Sequence, residues 1–508
     1  MNELQGAAVE RAARLGVGSE RSSAPAAKPR RTPWRDNIEA LAVAIIMAVM
    51  FKYFALEAYQ IPTGSMQPTL MGEPLPDGDV KDRILVDKLS FHYRDPERFE
   101  VVVFKYPLNR AQNFVKRLVG MPGEQLHIEN GDLWRRDNAG EPWQILRRPR
   151  AVQEDQWKAL DVGPPMGGKH WTTDRGSKTA PGMNERTAEV NGDASLRFVA
   201  NGDGEIKDVY SDGYPERMRA VIRMVANHSP VGDLRATGRI RARAGLKQFT
   251  VVLTEGKLSY EFQIPGPAAS ADAQPHLVVQ SNLIKSSTPD VIVGDKAAAA
   301  QRLPSGEWVR FSAQNLDDRL TLELDGKLIA ELDIAAVKDQ SSSSVHLKFE
   351  GEGASLDDLQ VWRDIYYTTE GKPDEWTIPE GCYMMFGDNT QNSSDSRMWE
   401  LLHKSWRGMP QGRDKISGNA REGRGQNNEQ LSDANPVVNN TEFGPMTFFR
   451  DQWGELYTFP VADEQTVPSD QATSLEPFVP RSLIVGRAVA VFWPWSYTYR
   501  VVRMKWVH

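Results

Sequence analysis

Apolar and polar positions along this chain change period several times, and each change marks an element. From Ala40 to Phe51 every residue is apolar, and with Lys52 snorkelling the run reaches Leu56. This predicts a helix over 37–58, marginal in length for a bilayer span; the same length also suits a buried helix. Short β-branched strands follow at Arg83–Lys88, Glu100–Pro107 and Asn113–Glu124, broken by Pro107 and by the turn Gly120-Met121-Pro122-Gly123. Period-2 alternation then recurs at Ser195–Val199, Gly238–Ala244, Phe249–Leu253, Leu258–Ile264, Glu307–Ala313 and Leu320–Lys327, the pattern of an antiparallel sandwich. Further strands are expected at Tyr383–Phe386, Phe448–Pro460 and Ser482–Val491.

Between these elements, residues 1–36 are rich in Ala, Ser, Pro and Arg and read as a disordered tail. Residues 135–186 read as an irregular excursion, and 405–440 as a mobile loop. Arg11, Arg14, Arg21, Lys28, Arg30, Arg31 and Arg35 precede the apolar run, whereas Glu57, Glu73, Asp77 and Asp79 follow it. The positive-inside rule would leave the N-terminus in the cytoplasm and the remainder outside, on a single transmembrane helix. Phe492-Trp493-Pro494-Trp495-Ser496-Tyr497 is too short to span, but its aromatics suit a membrane interface.

Composition narrows the classes. With 508 residues the chain exceeds one core. At 25% charged residues and a net charge of -7 it has no pervasive basic character, which argues against nucleic acid as a partner. A single cysteine, Cys382, excludes an intramolecular disulfide. The eight histidines show no metal-ligand spacing, so no metal site and no zinc- or histidine-dependent mechanism is expected. Asp325 and Asp358 read as a hairpin-turn residue and a strand-entry residue rather than as calcium ligands.

Candidate chemistry starts at Thr63-Gly64-Ser65-Met66-Gln67-Pro68-Thr69, a punctuated segment that presents one small hydroxyl after a hydrophobic run. A serine is a poor nucleophile at neutral pH and needs a base. Lys116 stands inside an apolar strand, where burial would lower its pKa and leave an amine able to take a proton. Alternation taken alone would instead turn Lys116 or Arg117 outward. Far downstream, Gly387-Asp388-Asn389 ends an apolar strand, and the following loop offers Ser393, Asp395, Ser396 and Arg397. Asp395 and Arg397 could brace that loop, while Ser393 could aim an amine.

Those three boxes, in that order and with the closing Val485-Gly486-Arg487-Ala488 strand, resemble the bacterial type I signal peptidase (leader peptidase) family of membrane-bound Ser/Lys proteases. The resemblance implies Ser65 as nucleophile and Lys116 as general base. It further implies an oxyanion hole from the Ser65 N–H and the Thr63 hydroxyl, with Ser393, Asp395, Arg397 and Met66 in support. No cofactor is needed. The implied substrates are exported preproteins with small residues before the cut, and the implied location is the cell membrane, with lipid contact and the catalytic domain extracytoplasmic. Two positions depart from the family pattern: Phe99-Glu100 replaces Gly-Asp, and Glu124 stands where Asp is usual. Lys116 and Gly387 are also 271 positions apart, so something is inserted.

The fold class expected is therefore mainly β. An N-terminal transmembrane helix (37–58) would precede a signal-peptidase-type catalytic domain (59–134 and 369–508), interrupted by a β-sandwich at 187–368 that resembles the concanavalin or laminin-G jelly roll. The insert would bind a glycan or a protein partner, or would only shape and shield the site. A different class, a catalytically silent surface receptor whose insert binds carbohydrate, remains as the alternative.

Overall fold

The computed structural model describes residues 33–508 apart from 74, 76–79, 161–170, 174–181, 184–187, 201–204, 220, 223–228, 282–289, 293–301, 338–340, 370, 421–434, 469–470, 494, 497–498 and 500. The expected tail (1–36) thus lies almost wholly outside the described residues, as do the acidic flank residues Asp77 and Asp79, Arg421 and Arg424 of the expected loop, and Tyr497 of the aromatic segment.

The helix at the N-terminus spans Pro33–Phe54, 22 residues. Its exposed side chains include Ile38, Leu41, Ile45, Ile46 and Met50. Here the expected transmembrane helix is corrected: among the described residues no helix is long and apolar enough to cross a membrane. The physical reason lies in its composition. Arg35, Asp36 and Glu39 occupy its first two turns and Lys52 its last. The uninterrupted apolar run from Ala40 to Phe51 covers about 18 Å at 1.5 Å per residue, against a hydrocarbon core of about 30 Å.

The rest of the chain, Leu56–His508, forms a second compact unit. One antiparallel sheet in it runs in the order Leu56–Gln60, Arg83–Asp87, Ile484–Trp493, Val101–Tyr106, Asn109–Gly120, Cys382–Phe386 and Phe478–Pro480, with Lys505–Trp506 added beside Ile484–Trp493. Strands from the two ends of the sequence therefore lie side by side. Both faces of this sheet are covered. Val101 and Val103 pack with Ile61, Met66, Leu70, Ile84 and Val86. Val102 and Phe104 face the other way, onto Phe91, Leu118, Met385 and Trp399. Burial on two sides explains why Val101–Phe104 reads as a continuous apolar run instead of an alternation.

Two further antiparallel sheets carry most of residues 158–363. One includes Gly353–Arg363, Leu234–Ala242, Trp308–Asn315, Arg319–Leu324 and Lys327–Asp333; the other includes Ala194–Phe198, Ser343–Gly351, Leu246–Glu255, Leu258–Pro265 and His276–Ser281. A single core holds their inward residues, among them Phe198, Phe249, Phe262, Phe311 and Phe349. Where the chain enters and leaves this sandwich, Lys158 pairs with Arg363 and Ala159 with Trp362. Ends that meet let a large insertion sit in a sheet protein without spreading the strands around it. The stretch 135–186 is more regular than its Pro- and Gly-rich sequence suggests, with a helix at Arg150–Gln156 and sandwich strands at Trp171–Thr173 and Gly182–Met183. Likewise the span 405–440 contains the strands Ile416–Asn419 and Val437–Thr441.

Candidate active site

Ser65 lies in a single 3-10 turn, Gly64–Met66, entered from Thr63 in an extended conformation. The turn is pinned from below by Met66 and Leu70, both fully buried. From the side, Asn389 N donates to the Ser65 carbonyl at 3.1 Å and Asn389 Nδ2 to the Gly64 carbonyl at 3.0 Å. Gly387 makes this approach feasible: a Cβ there would lie 2.4 Å from the Ser65 carbonyl oxygen and 2.1 Å from Ser393 Oγ.

Lys116 comes from the strand Asn109–Gly120 and is 4% exposed. Its Nζ donates to Ser65 Oγ at 2.7 Å. Burial pushes the lysine down from 10.5 to about 8; the charges of Asp395 and Asp388 oppose this, and Arg397 adds to it. At pH 7 about a tenth of the molecules then carry a neutral amine there, far more than for a lysine in water. Thr63 is exposed, and its Oγ1 donates toward Ser65 Oγ at 3.4 Å.

The downstream loop is braced as a unit. Arg397 holds both oxygens of Asp395, Nε to Oδ1 at 2.9 Å and Nη2 to Oδ2 at 2.6 Å. Asp395 Oδ2 also accepts Gly387 N at 2.9 Å, and Ser396 Oγ accepts Met385 N at 2.9 Å. The guanidinium of Arg397 lies over Phe386, 4.9 Å from its ring centre. This network holds Asp395 below the usual carboxylate range in spite of its burial, chiefly through Arg397. Ser393 is different: its buried Oγ has no hydrogen-bond partner, so it makes no hydrogen bond to Lys116. Of the residues singled out in the sequence, the fold thus gathers Thr63, Ser65, Met66, Lys116, Asp395 and Arg397, and leaves Ser393 beside Gly387.

Several residues around the site have no role there that the sequence alone assigns. Arg117 is fully buried, and so is Asp388. They form a two-pronged pair, Nε to Oδ1 at 2.9 Å and Nη2 to Oδ2 at 2.8 Å, completed by Thr69 Oγ1 donating to Asp388 at 2.5 Å and Gln156 Nε2 at 2.9 Å. Arg117 also donates to the carbonyls of Phe99 and His508. Alternation predicted one outward side chain from the Lys116-Arg117 pair. Because both faces of the sheet are covered, both are buried, Lys116 toward Ser65 and Arg117 toward Asp388. The two departures from the family pattern are themselves arginine receptors: Glu100 takes Arg94, and Glu124 takes Arg98 while capping Met121 N at 2.8 Å.

This arrangement matches known proteins. The model of the family "Signal peptidase, peptidase S26" matches residues 34–176 and 316–420, which include Ser65, Lys116 and the Asp388–Arg397 loop and leave a gap inside the sandwich. "Probable signal peptidase I-2" of Synechocystis is 34% identical over 112 residues, 21% of this chain and 47% of that protein. "Probable signal peptidase I-1" of the same organism is 32% identical over 135 residues, 24% of this chain and 63% of that protein. The chain therefore spans between about half and under two thirds of the length of these relatives. Among solved structures, the carbohydrate binding module CBM66 from Bacillus subtilis aligns over 38% of this chain and 95% of its own at 10% identity, with a TM-score of 0.24, too low to say anything of the insert. On the split match and the signal peptidase relatives together, the chain is similar to the signal peptidase, peptidase S26 family.

Proposed function

We propose that this protein is a serine endopeptidase of the signal peptidase I type, which removes N-terminal signal peptides from exported preproteins through Ser65 and Lys116. The observation that carries this reading is the buried 2.7 Å contact between Lys116 Nζ and Ser65 Oγ. When the lysine is neutral the hydrogen bond reverses: Ser65 donates, and Lys116 takes its proton as Oγ attacks the scissile carbonyl. The negative charge on the tetrahedral oxygen is met by the Ser65 N–H and the Thr63 hydroxyl, donors of a kind worth about 3 kcal/mol each. Protonated Lys116 then gives its proton to the leaving amine, and an acyl ester remains on Ser65. A water deprotonated by Lys116 cleaves that ester and restores the site.

Small side chains, Ala above all, are the proposed preference at the first and third residues before the cut. Since cleavage follows export, the reaction is assigned to the extracytoplasmic side of the cell membrane. In this reading residues 56–146 and 366–508 make the catalytic part and 157–365 the insert. The test is incubation of a labelled preprotein with the purified full chain and with Ser65→Ala. Cleavage at one bond by the wild type alone is expected. Equal processing by both, or by neither, defeats the proposal and leaves a silent receptor as the better reading.

A further inference from the structure

Away from Ser65, the described residues contain a second concentration of charge. Asp132, Asp233 and Asp317 bring carboxylate oxygens within 4.8 Å of one another. They come from separate pieces of the chain. Asp132 opens the strand Asp132–Arg136, and Asp233 directly precedes the strand Leu234–Ala242. Asp317 sits in the turn between Trp308–Asn315 and Arg319–Leu324 with φ of 49°, and its N–H donates to Asp233 Oδ2 at 3.0 Å.

Positive charge does not balance this group. The guanidinium of Arg148 is shared between Asp317, 3.0 Å away, and both oxygens of Asp364. Neither Asp132 nor Asp233 has an ion-pair partner among the described residues. A second, independent observation points to a missing electrophile. Asp317 is 4% exposed, Arg148 occupies its Oδ1, and its buried Oδ2 accepts no hydrogen bond. Asn315, 1% exposed and two positions earlier, has an equally unpartnered Oδ1. A buried carboxylate oxygen is rarely left without a donor unless something else meets it. The donors are all oxygens, with no histidine or cysteine, which favours a hard cation over zinc or copper.

We propose that Asp132, Asp233 and Asp317 form a site for a hard divalent cation, Ca2+ in preference to Mg2+, that fastens the inserted sandwich to the catalytic part. Its position supports that role. Arg148 lies where the chain departs for the sandwich, and Asp364, whose N–H donates to the Asp233 carbonyl at 3.0 Å, lies where it returns. Arg148 also donates to Gln156 Oε1 at 3.1 Å, and Gln156 in turn donates to Asp388, the partner of Arg117. Crowded carboxylates, with Asp317 Oδ2 unpartnered, suit the larger, more flexible coordination of Ca2+.

The inference does not depend on peptidase activity. The full chain is stripped with EDTA, dialysed and titrated calorimetrically with CaCl2 alone, and with MgCl2 alone in parallel, with thermal melting alongside. One saturable Ca2+ per chain is expected, with a higher Tm in Ca2+. Asp132→Asn, at a partly exposed position, should weaken binding at least tenfold, whereas Asp325→Asn, in a hairpin outside the cluster, should not. Should Asp132→Asn fail to fold, Asp233→Asn replaces it in the same titration. The proposal is overturned by folded wild-type protein that shows no saturable binding of either cation up to about 10 mM, beyond the weakest extracellular sites. Binding that survives both variants unchanged overturns it as well.

Discussion

Replacing Lys116 with methionine should abolish preprotein cleavage and at the same time stabilise the fold. The lysine is 4% exposed, and burial lowers its pKa from 10.5 to about 8. At 1.36 kcal/mol per pKa unit, holding it in place costs the folded state roughly 3 kcal/mol at pH 7. Methionine fills a similar volume without a charge to desolvate. It also forfeits the hydrogen bond to Ser65 Oγ, a loss of about 1 kcal/mol. A net gain of roughly 2 kcal/mol at pH 7 follows. Between pH 8 and 10.5 the unfolded lysine holds more protons than the folded one, so wild-type stability climbs with pH in that window. The advantage of Lys116→Met should therefore shrink by roughly 1 kcal/mol from pH 7 to pH 9. Urea unfolding followed by tryptophan fluorescence at pH 7, 8 and 9 reads both quantities. A variant that is less stable than wild type at pH 7, or whose advantage does not change with pH, refutes the claim that Lys116 is held against its own desolvation.

In the proposed reaction the same lysine should set the pH dependence. Cleavage of a peptide substrate at limiting concentration should rise with pH through about 8, and Asp395→Asn, which removes a carboxylate that favours the charged amine, should move that limb to lower pH. Gly387→Ala drives a methyl group to 2.4 Å from the Ser65 carbonyl oxygen, so kcat should fall at least tenfold while circular dichroism stays native. Arg117→Met leaves Asp388 buried without its pair and should cost roughly 3–5 kcal/mol in urea unfolding. Adding Asp388→Asn should return part of that loss, and strictly additive losses would deny the pairing.

The boxes around Ser65, Lys116 and Gly387 were legible because they are local: a punctuated turn after an apolar run, a cation in an apolar strand, and a polar loop closing another strand. Period-2 alternation likewise announced the sandwich strands, since one face of each meets a core and the other meets water. The helix was misjudged where a local pattern was asked to report a length. Its twelve apolar residues invite extension past Lys52, while Arg35 counts only as a flank and Asp36 and Glu39 are left out of the reckoning. Lys116 and Arg117 show a different limit, because alternation assigns side chains to two faces but cannot say that both faces are covered.

By itself, then, the sequence determined which side chains are the candidates for the chemistry and which segments become strands, since both follow from residue type and spacing over a few positions. Tertiary structure decided what those side chains meet: that Lys116 Nζ ends 2.7 Å from a hydroxyl 51 positions earlier, that Arg117 finds Asp388 across an insertion, and that three aspartates from distant turns converge. Desolvation and Coulomb energy depend on distance in space and on the depth of cover. Those quantities come into being only when strands from the two ends of the chain are brought into one sheet.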